Sequence, residues 1–239
     1  MFRHKGRTRT YYHNLHIACL LSFVAGIVNV AGYLSVQTLT TNITGHFAYF
    51  IDEIFSLRFW KGTVYFLYIL FFFFGSFVSN FITEFASRKN SKYLYIIPTL
   101  IECCLLLAAG IWGNYFIVYN SVLLSFILLF AMGLQNSMVT TISNATVRTT
   151  HLTGLFTDLG IELSQLFFYK KADDKRKKLL SSIKLRISII SFFFLGGITG
   201  GTLYGLLSLK ILILAALTLI SGILYDFIKI GYIVYRKQH

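Results

Sequence analysis

Apolar residues in this 239-residue chain fall in blocks of roughly twenty, separated by short polar runs. That is the length a helix needs to cross about 30 Å of hydrocarbon. The blocks predict spanning helices at about 15–36, 64–83, 94–112, 117–139, 187–207 and 211–230. After the first span a polar turn, Thr38 to Gly45, leads into a short apolar segment ending near Phe55. After the fourth a similar turn, Ser143 to Gly154, leads into an amphipathic segment ending near Phe168, and then into basic residues from Lys170 to Lys178. The expected fold is an all-α membrane protein of about six spans. Short re-entrant or interfacial helices follow spans one and four. One transmembrane domain, 1–239, accounts for the chain.

The pattern also repeats. Gly26-Ile-Val-Asn29 in the first span matches Gly133-Leu-Gln-Asn136 in the fourth, at an offset of 107. Thr41-Asn42-Ile43-Thr44-Gly45 matches Thr150-His151-Leu152-Thr153-Gly154, at 109. Phe71-Phe72-Phe73-Phe74-Gly75 matches Phe192-Phe193-Phe194-Leu195-Gly196, at 121. The offsets grow in one direction, and the last jump is the size of the basic insertion. The two halves, about 15–113 and 117–236, then read as one three-span unit used twice, with a basic cytoplasmic linker at about 169–186. Three spans are an odd number, so the second unit enters from the opposite side. The repeat is an inverted 3+3, an arrangement that many secondary transporters use to build a midplane site.

Composition sharpens the membrane reading. The chain is 56% hydrophobic and only 13% charged, against about 25% charged in soluble domains. Its net charge of +13 would suggest nucleic acid in a soluble protein. Topology accounts for it instead. With the N-terminus inside, nineteen of the 22 Lys and Arg fall on cytoplasmic segments; Arg58, Lys61 and Lys210 fall outside. Both termini are therefore expected in the cytoplasm, and nucleic acid is excluded as a partner. The N-terminal apolar run extends too far for a signal sequence and reads as an uncleaved first span. Cys19, Cys103 and Cys104 lie in apolar stretches with no metal-ligand spacing and read as core residues. No metal, cofactor or catalytic residues are expected, and the chain does not read as an enzyme.

Polar residues inside the spans carry what chemistry there is. Thr44-Gly45 and Thr153-Gly154 each precede a short helical segment, with Thr as the expected cap. Helix N-termini in low dielectric favour anions, so two of them facing each other would suit an anionic solute; ordinary capped turns are the plain alternative. Asn29, Gln135 and Asn136 lie within spans, where amides face protein or water; they are site candidates or interhelical bonds. His46 and His151 flank the two Thr-Gly turns. Asn42 and Thr150 complete the substrate-binding candidates. Glu102, well inside the third span, is a candidate proton or ion carrier, as is Asp158; Asp158 and Glu162 read equally as partners of a helix N-terminus. The glycines 196, 197, 200, 201 and 205 form a packing face.

These strings resemble the YoaK/DUF1275 family of bacterial membrane proteins. The resemblance rests on Gly26-x-x-Asn29 with Gly32-Tyr33, on Thr44-Gly45, on Gly133-Leu-Gln-Asn136, and above all on Arg148-Thr-Thr-His-Leu-Thr-Gly154 with Thr157-Asp158-Leu-Gly160. It implies a bacterial cytoplasmic membrane location and about six spans, and supplies no activity. Asn29 stands where the family commonly has Asp, and His46 where it tends to Asn. If that Asp is a carrier, coupling through Asn29 is excluded here, and Glu102 or a His would have to substitute.

Three functions remain open. The leading one is a small secondary transporter or permease for a small solute, with helix-terminus physics pointing to an anion. The others are a non-transporting scaffold or lipid-organising protein, with a packed and internally paired centre, and, remotely, an intramembrane enzyme. Expected partners are the lipid bilayer, that solute, and a second copy of the chain.

Overall fold

In the computed structural model, residues 11–88, 94–143, 147, 149–169 and 174–238 are described, the last ten without their side chains. The helices are α1 (Tyr11–Val36), α2 (Ile43–Phe55), α3 (Phe59–Arg88), α4 (Ile96–Tyr119), α5 (Ser121–Ile142), α6 (Leu152–Gln165), α7 (Asp174–Leu207) and α8 (Ile211–Gln238). A 3-10 turn, Ser208–Lys210, joins the last two. No strand occurs among the described residues.

Five helical stretches are long and apolar enough to cross a membrane: α1, α3, α4, α5 and a 55-residue stretch, Asp174–Ile228, that contains α7, the turn and α8. The first four expected spans fall on α1, α3, α4 and α5, the last two fall together on Asp174–Ile228, and the ends move. α3 starts at Phe59, directly after a reversal in which Leu57 takes a left-handed backbone conformation (φ 57°) and Arg58 pairs with Glu53 at 2.6 Å. α4 runs past Gly113 and Asn114 to Tyr119, because Gly113 is packed against the Leu209 side chain and does not break the helix. α7 begins at Asp174, so most of the basic linker is helix. Residues 1–10, 89–93, 148 and 170–173 lie outside the described residues, and several of the charges that set the expected orientation fall on them.

Between apolar helices in lipid the hydrophobic effect supplies little association, so close backbone packing must hold the bundle. Two helix pairs do this. α1 lies along α7, and α3 along α5. At the first crossing a Cβ on Gly26 would collide with the Phe193 carbonyl, and one on Gly196 with the Phe23 carbonyl. At the second, Gly133 meets the Phe72 carbonyl and Gly75 the Phe130 carbonyl. Both are reciprocal Phe-x-x-Gly contacts, and both pairs are parallel. Ile27 and Val30 on α1 meet Gly200 and Gly201 on α7. Phe71 stacks on Phe126 at one end of the α3–α5 pair, and Thr141 bonds Asn80 at the other. Gly205, the last of the glycine face, has nothing within 4 Å.

α4 packs between α5 and α8, and α8 reaches α1. The continuous core is drawn from α1, α4, α5, α7 and α8, with Leu21, Ile27, Leu106, Leu128 and Met132 fully buried. α3 is the least buried of the apolar helices and shows Phe66, Phe73, Phe77, Phe81 and Phe85 outward. The short helices lie on neighbouring long ones, α2 on α3 and α6 on α7.

Candidate functional site

α1 ends in a reversal. Gln37 takes a left-handed backbone conformation (φ 53°), and the chain folds back until the Thr40 methyl sits against Gly32. Thr41 is then hooked onto α1: its N–H and hydroxyl donate to Asn29 Oδ1 at 3.3 and 2.9 Å. The second half makes the matching hook, with the Thr150 hydroxyl donating to Asn136 Oδ1 at 2.9 Å. In both cases the Asn lies three residues after the glycine of a close crossing. The glycine contact thus sets where the helix passes, and the Asn sets where the following segment returns.

The two returning segments open on one cavity of about 1040 Å³. Its walls are Asn29, residues 41–45 and Ala48 on one side, and Asn136 with residues 150–153 on the other. Leu39, Ile69, Phe72, Phe73, Ser76 and Phe193 complete it. The first turns of α2 and α6 both face it. The Asn29 and Asn136 amide oxygens are spent on threonines, and their NH2 groups have no partner among the described residues. The lining therefore offers amide donors, hydroxyls and two helix N-termini, and it holds no Asp, Glu, Lys or Arg.

The two Thr-Gly pairs lie inside their helices, not at the caps. Asn42 caps α2, accepting from the Gly45 N–H at 3.1 Å. His151 is the cap residue of α6 without a side-chain cap bond, and its ring lies over Gly154, where any Cβ would collide with it.

Three of the candidate binding residues stand outside the lining. Gly154 is covered by that ring. Gln135 is fully buried, its Nε2 donating to the Leu21 carbonyl at 2.8 Å and to Thr149 Oγ1 at 3.2 Å. His46 turns toward α3, where its ring packs against Tyr65 and Tyr68 and its Nε2–H donates to the Leu39 carbonyl at 2.9 Å. Burial pushes the His46 imidazole below its ordinary pKa, and the Leu39 bond opposes this only in part.

Asp158 is away from the cavity too, in the second turn of α6, and is not an N-terminal partner. It pairs with Arg186 at 2.8 Å, and the same guanidinium meets Glu162 at 2.9 Å. Ser182 donates to the other Glu162 oxygen at 2.6 Å. This cluster fixes α6 to α7. Glu102 is completely buried in α4, and neither carboxyl oxygen has a hydrogen-bond partner among the described residues. No group of three or more His, Cys, Asp or Glu suited to a metal occurs among the described residues.

Sequence reasoning missed Phe72, Phe193, Ser76 and Ile69. A signal was available for the first two: Phe23, Phe72, Phe130 and Phe193 each stand three residues before a repeat glycine.

An all-helical chain with this many apolar helices of spanning length has the make-up of a helical membrane protein. The chain belongs to the DUF1275 family, described as proteins of unknown function, which matches it over residues 17–225. No curated protein and no solved structure gives a significant match.

Proposed function

We propose that this protein is a six-span permease for a small solute, with small anions the favoured class, built as an inverted 3+3 repeat around the central cavity. The 55-residue apolar stretch Asp174–Ile228 would extend about 80 Å as one helix at 1.5 Å per residue, far beyond one bilayer. The turn at Ser208–Lys210, with Ser208 at φ 50°, divides it, which supports two spans. Exchanging the halves maps α1 with α7 onto α5 with α3, and α2 on α3 onto α6 on α7. The helix pairings survive that exchange, and so do the reciprocal glycine contacts and the two Asn–Thr hooks.

One observation carries the functional reading: two short helices present their first turns, with two free amide NH2 groups, to a single cavity without acidic side chains. Helix N-termini attract negative charge, and more strongly where water is scarce. A scaffold would be expected to pack this centre; a cavity favours passage. The basic segments favour a cytoplasmic location for both ends, and the family resemblance favours a bacterial inner membrane.

The test is flux into proteoliposomes across halides, short carboxylates and neutral solutes. At least one small anion is expected to enter. Asn29→Asp and Asn136→Asp, which place a carboxylate on the wall, should each lower that uptake about tenfold while the protein stays folded. No flux for any solute, with no thermal stabilisation by any, would sink the proposal.

A further inference from the structure

Past the glycine crossings the two parallel helix pairs differ in chemistry. In the α1–α7 pair the seam beyond the crossing is apolar and closed. Val30 fills it: a Cβ on Gly197 would lie 3.3 Å from Val30 Cγ2, and one on Gly201 3.6 Å from Val30 Cγ1. At the repeat offset of 107, Val30 and Leu34 of α1 correspond to Ser137 and Thr141 of α5. At the offset of 121, Gly197 and Gly201 of α7 correspond to Ser76 and Asn80 of α3. One seam is thus lined with methyl groups and glycine, and its counterpart with hydroxyls and an amide.

The polar seam starts at the cavity. Ser76 and Asn136 both line the cavity. The Ser76 hydroxyl donates to the Gly133 carbonyl at 3.1 Å. One turn further along α3, Asn80 meets α5 again, and the Thr141 hydroxyl donates to its Oδ1 at 3.4 Å. Two hydrogen bonds therefore bridge α3 and α5, from Ser76 and Asn80 on successive turns of α3. On α5, Thr140 follows Asn136 by one turn and donates to the Asn136 carbonyl at 2.7 Å. Ser76, Ser137, Thr140 and Thr141 are half-buried.

Asn80 decides what fills the seam. It is exposed, and its NH2 group has no partner among the described residues. Gly75 lies near the middle of α3, and Asn80 is about 7.5 Å further along the axis. Hydrocarbon extends about 15 Å to either side of its midplane. An exposed amide at that depth needs water or protein around it. The outward face of α3 is apolar as lipid requires, with Phe73, Phe77, Phe81 and Phe85 exposed. The polar groups lie instead between two helices and lead on from a cavity, and that arrangement fits water.

We infer that the α3–α5 seam is a water-filled opening, joining the cavity to the membrane face at which α3 and α5 end, while the α1–α7 seam is shut. Ser76 and Asn136 stand where the opening meets the cavity; Asn80 and Thr141 line it. A polar solute keeps hydrogen-bond partners along such a wall, which a valine or phenylalanine wall denies it. The use of the opening by a solute rests on the permease reading, but the water in it is tested without any flux.

The experiment uses the full chain in nanodiscs, which leave both membrane faces accessible. A charged, water-soluble methanethiosulfonate reagent is applied, and its reaction is followed by the mass of the intact protein. Rates are taken above the wild-type background from Cys19, Cys103 and Cys104. Asn80→Cys and Thr141→Cys are expected to react at least tenfold faster than two controls. The controls are Phe77→Cys on the outward face and Gly201→Cys at the equivalent place in the α1–α7 seam. Should Asn80→Cys fail to fold, Thr141→Cys carries the comparison. Rates no higher than those of the controls overturn the inference. So does disulfide bonding between two Asn80→Cys chains without reaction with the reagent, which would put a second copy of the chain over the amide in place of water. Fast labelling with no flux of any solute sinks the permease and upholds the opening; flux with an unlabelled seam does the reverse.

Discussion

The glycine crossings make a quantitative claim about stability. A methyl group added at Gly133 would lie 3.0 Å from the Phe72 carbonyl carbon and 3.1 Å from the Ser76 nitrogen, and nearer still to the Phe72 oxygen. These are backbone atoms and cannot rotate aside. α3 and α5 must separate, and the bond from the Ser76 hydroxyl to the Gly133 carbonyl, now 3.1 Å, lengthens with them. Overpacking of this kind costs about 1–3 kcal/mol, and a polar interhelical bond contributes about 0.6 kcal/mol more. Replacing a helical glycine by alanine returns about 1 kcal/mol. Gly133→Ala is therefore expected to lose roughly 2 kcal/mol, a fall of about 4–8 °C for a chain of this size. Gly160 and Gly205 have nothing within 4 Å, so alanine there should raise the midpoint by a few degrees. Thermal unfolding in detergent, read by tryptophan fluorescence, measures all three. If Gly133→Ala melts with the wild type or above it, the close crossing does not hold these helices together.

Other consequences follow from the same contacts. Asn136→Leu removes the acceptor of the Thr150 hydroxyl and should free the start of α6; amide exchange at residues 150–154 is expected to quicken at least tenfold, and unchanged protection would rule the hook out. Arg186→Ala leaves Glu162 and Asp158 without their partner and should cost about 1–2 kcal/mol, between exposed and buried ion pairs. Asp158→Asn alone should cost less than 1 kcal/mol, since that carboxylate is half exposed, and equal losses in the two variants would contradict the geometry. His46 is held below its ordinary pKa by burial, so the unfolded chain takes up its proton first. Its contribution is present above about pH 6.5 and is lost as pH falls toward the folded value; the acid-side drop in the unfolding midpoint should shrink in His46→Phe.

The parts of this fold that were legible in the sequence are those set by the solvent. A bilayer demands about twenty apolar residues per crossing, so the middle of α1, α3, α4, α5 and α7 could be read from hydropathy. Helix ends answer to local partners, which hydropathy does not register. Thr44 looked like a cap by residue type, yet Asn42 is the residue whose side chain reaches a free N–H. The third span was expected to end at residue 112, yet α4 continues to Tyr119, with the Leu209 side chain filling the space beside Gly113. Asn29 and Asn136 were recognisable because an amide within a span needs a reason. The aromatic walls at Phe72 and Phe193 were hidden in phenylalanine runs, where no single ring is distinguished. His46 looked equivalent to His151 by position beside Thr-Gly, but Tyr65 and Tyr68 on α3 draw its ring outward.

The similarities and differences between the halves fall in different places, and the reason is physical. Close approach of two backbones tolerates only glycine, and a hook from span to returning segment needs an acceptor at one height above the crossing. Both requirements are geometric, and both halves meet them with the same residues: Gly26 and Asn29, Gly133 and Asn136. Holding a short helix against a long one can be done with many chemistries. α2 lies on α3 through stacked rings, Tyr49 on Tyr65 and Phe50 beside Phe66. α6 lies on α7 through Arg186 and two carboxylates. Aromatic contacts are indifferent to salt, whereas partly exposed ion pairs weaken as salt rises. The two walls of one cavity are therefore anchored with different sensitivities, and α6, with only Leu155 buried along its length, is the wall that changes in ionic strength reach first.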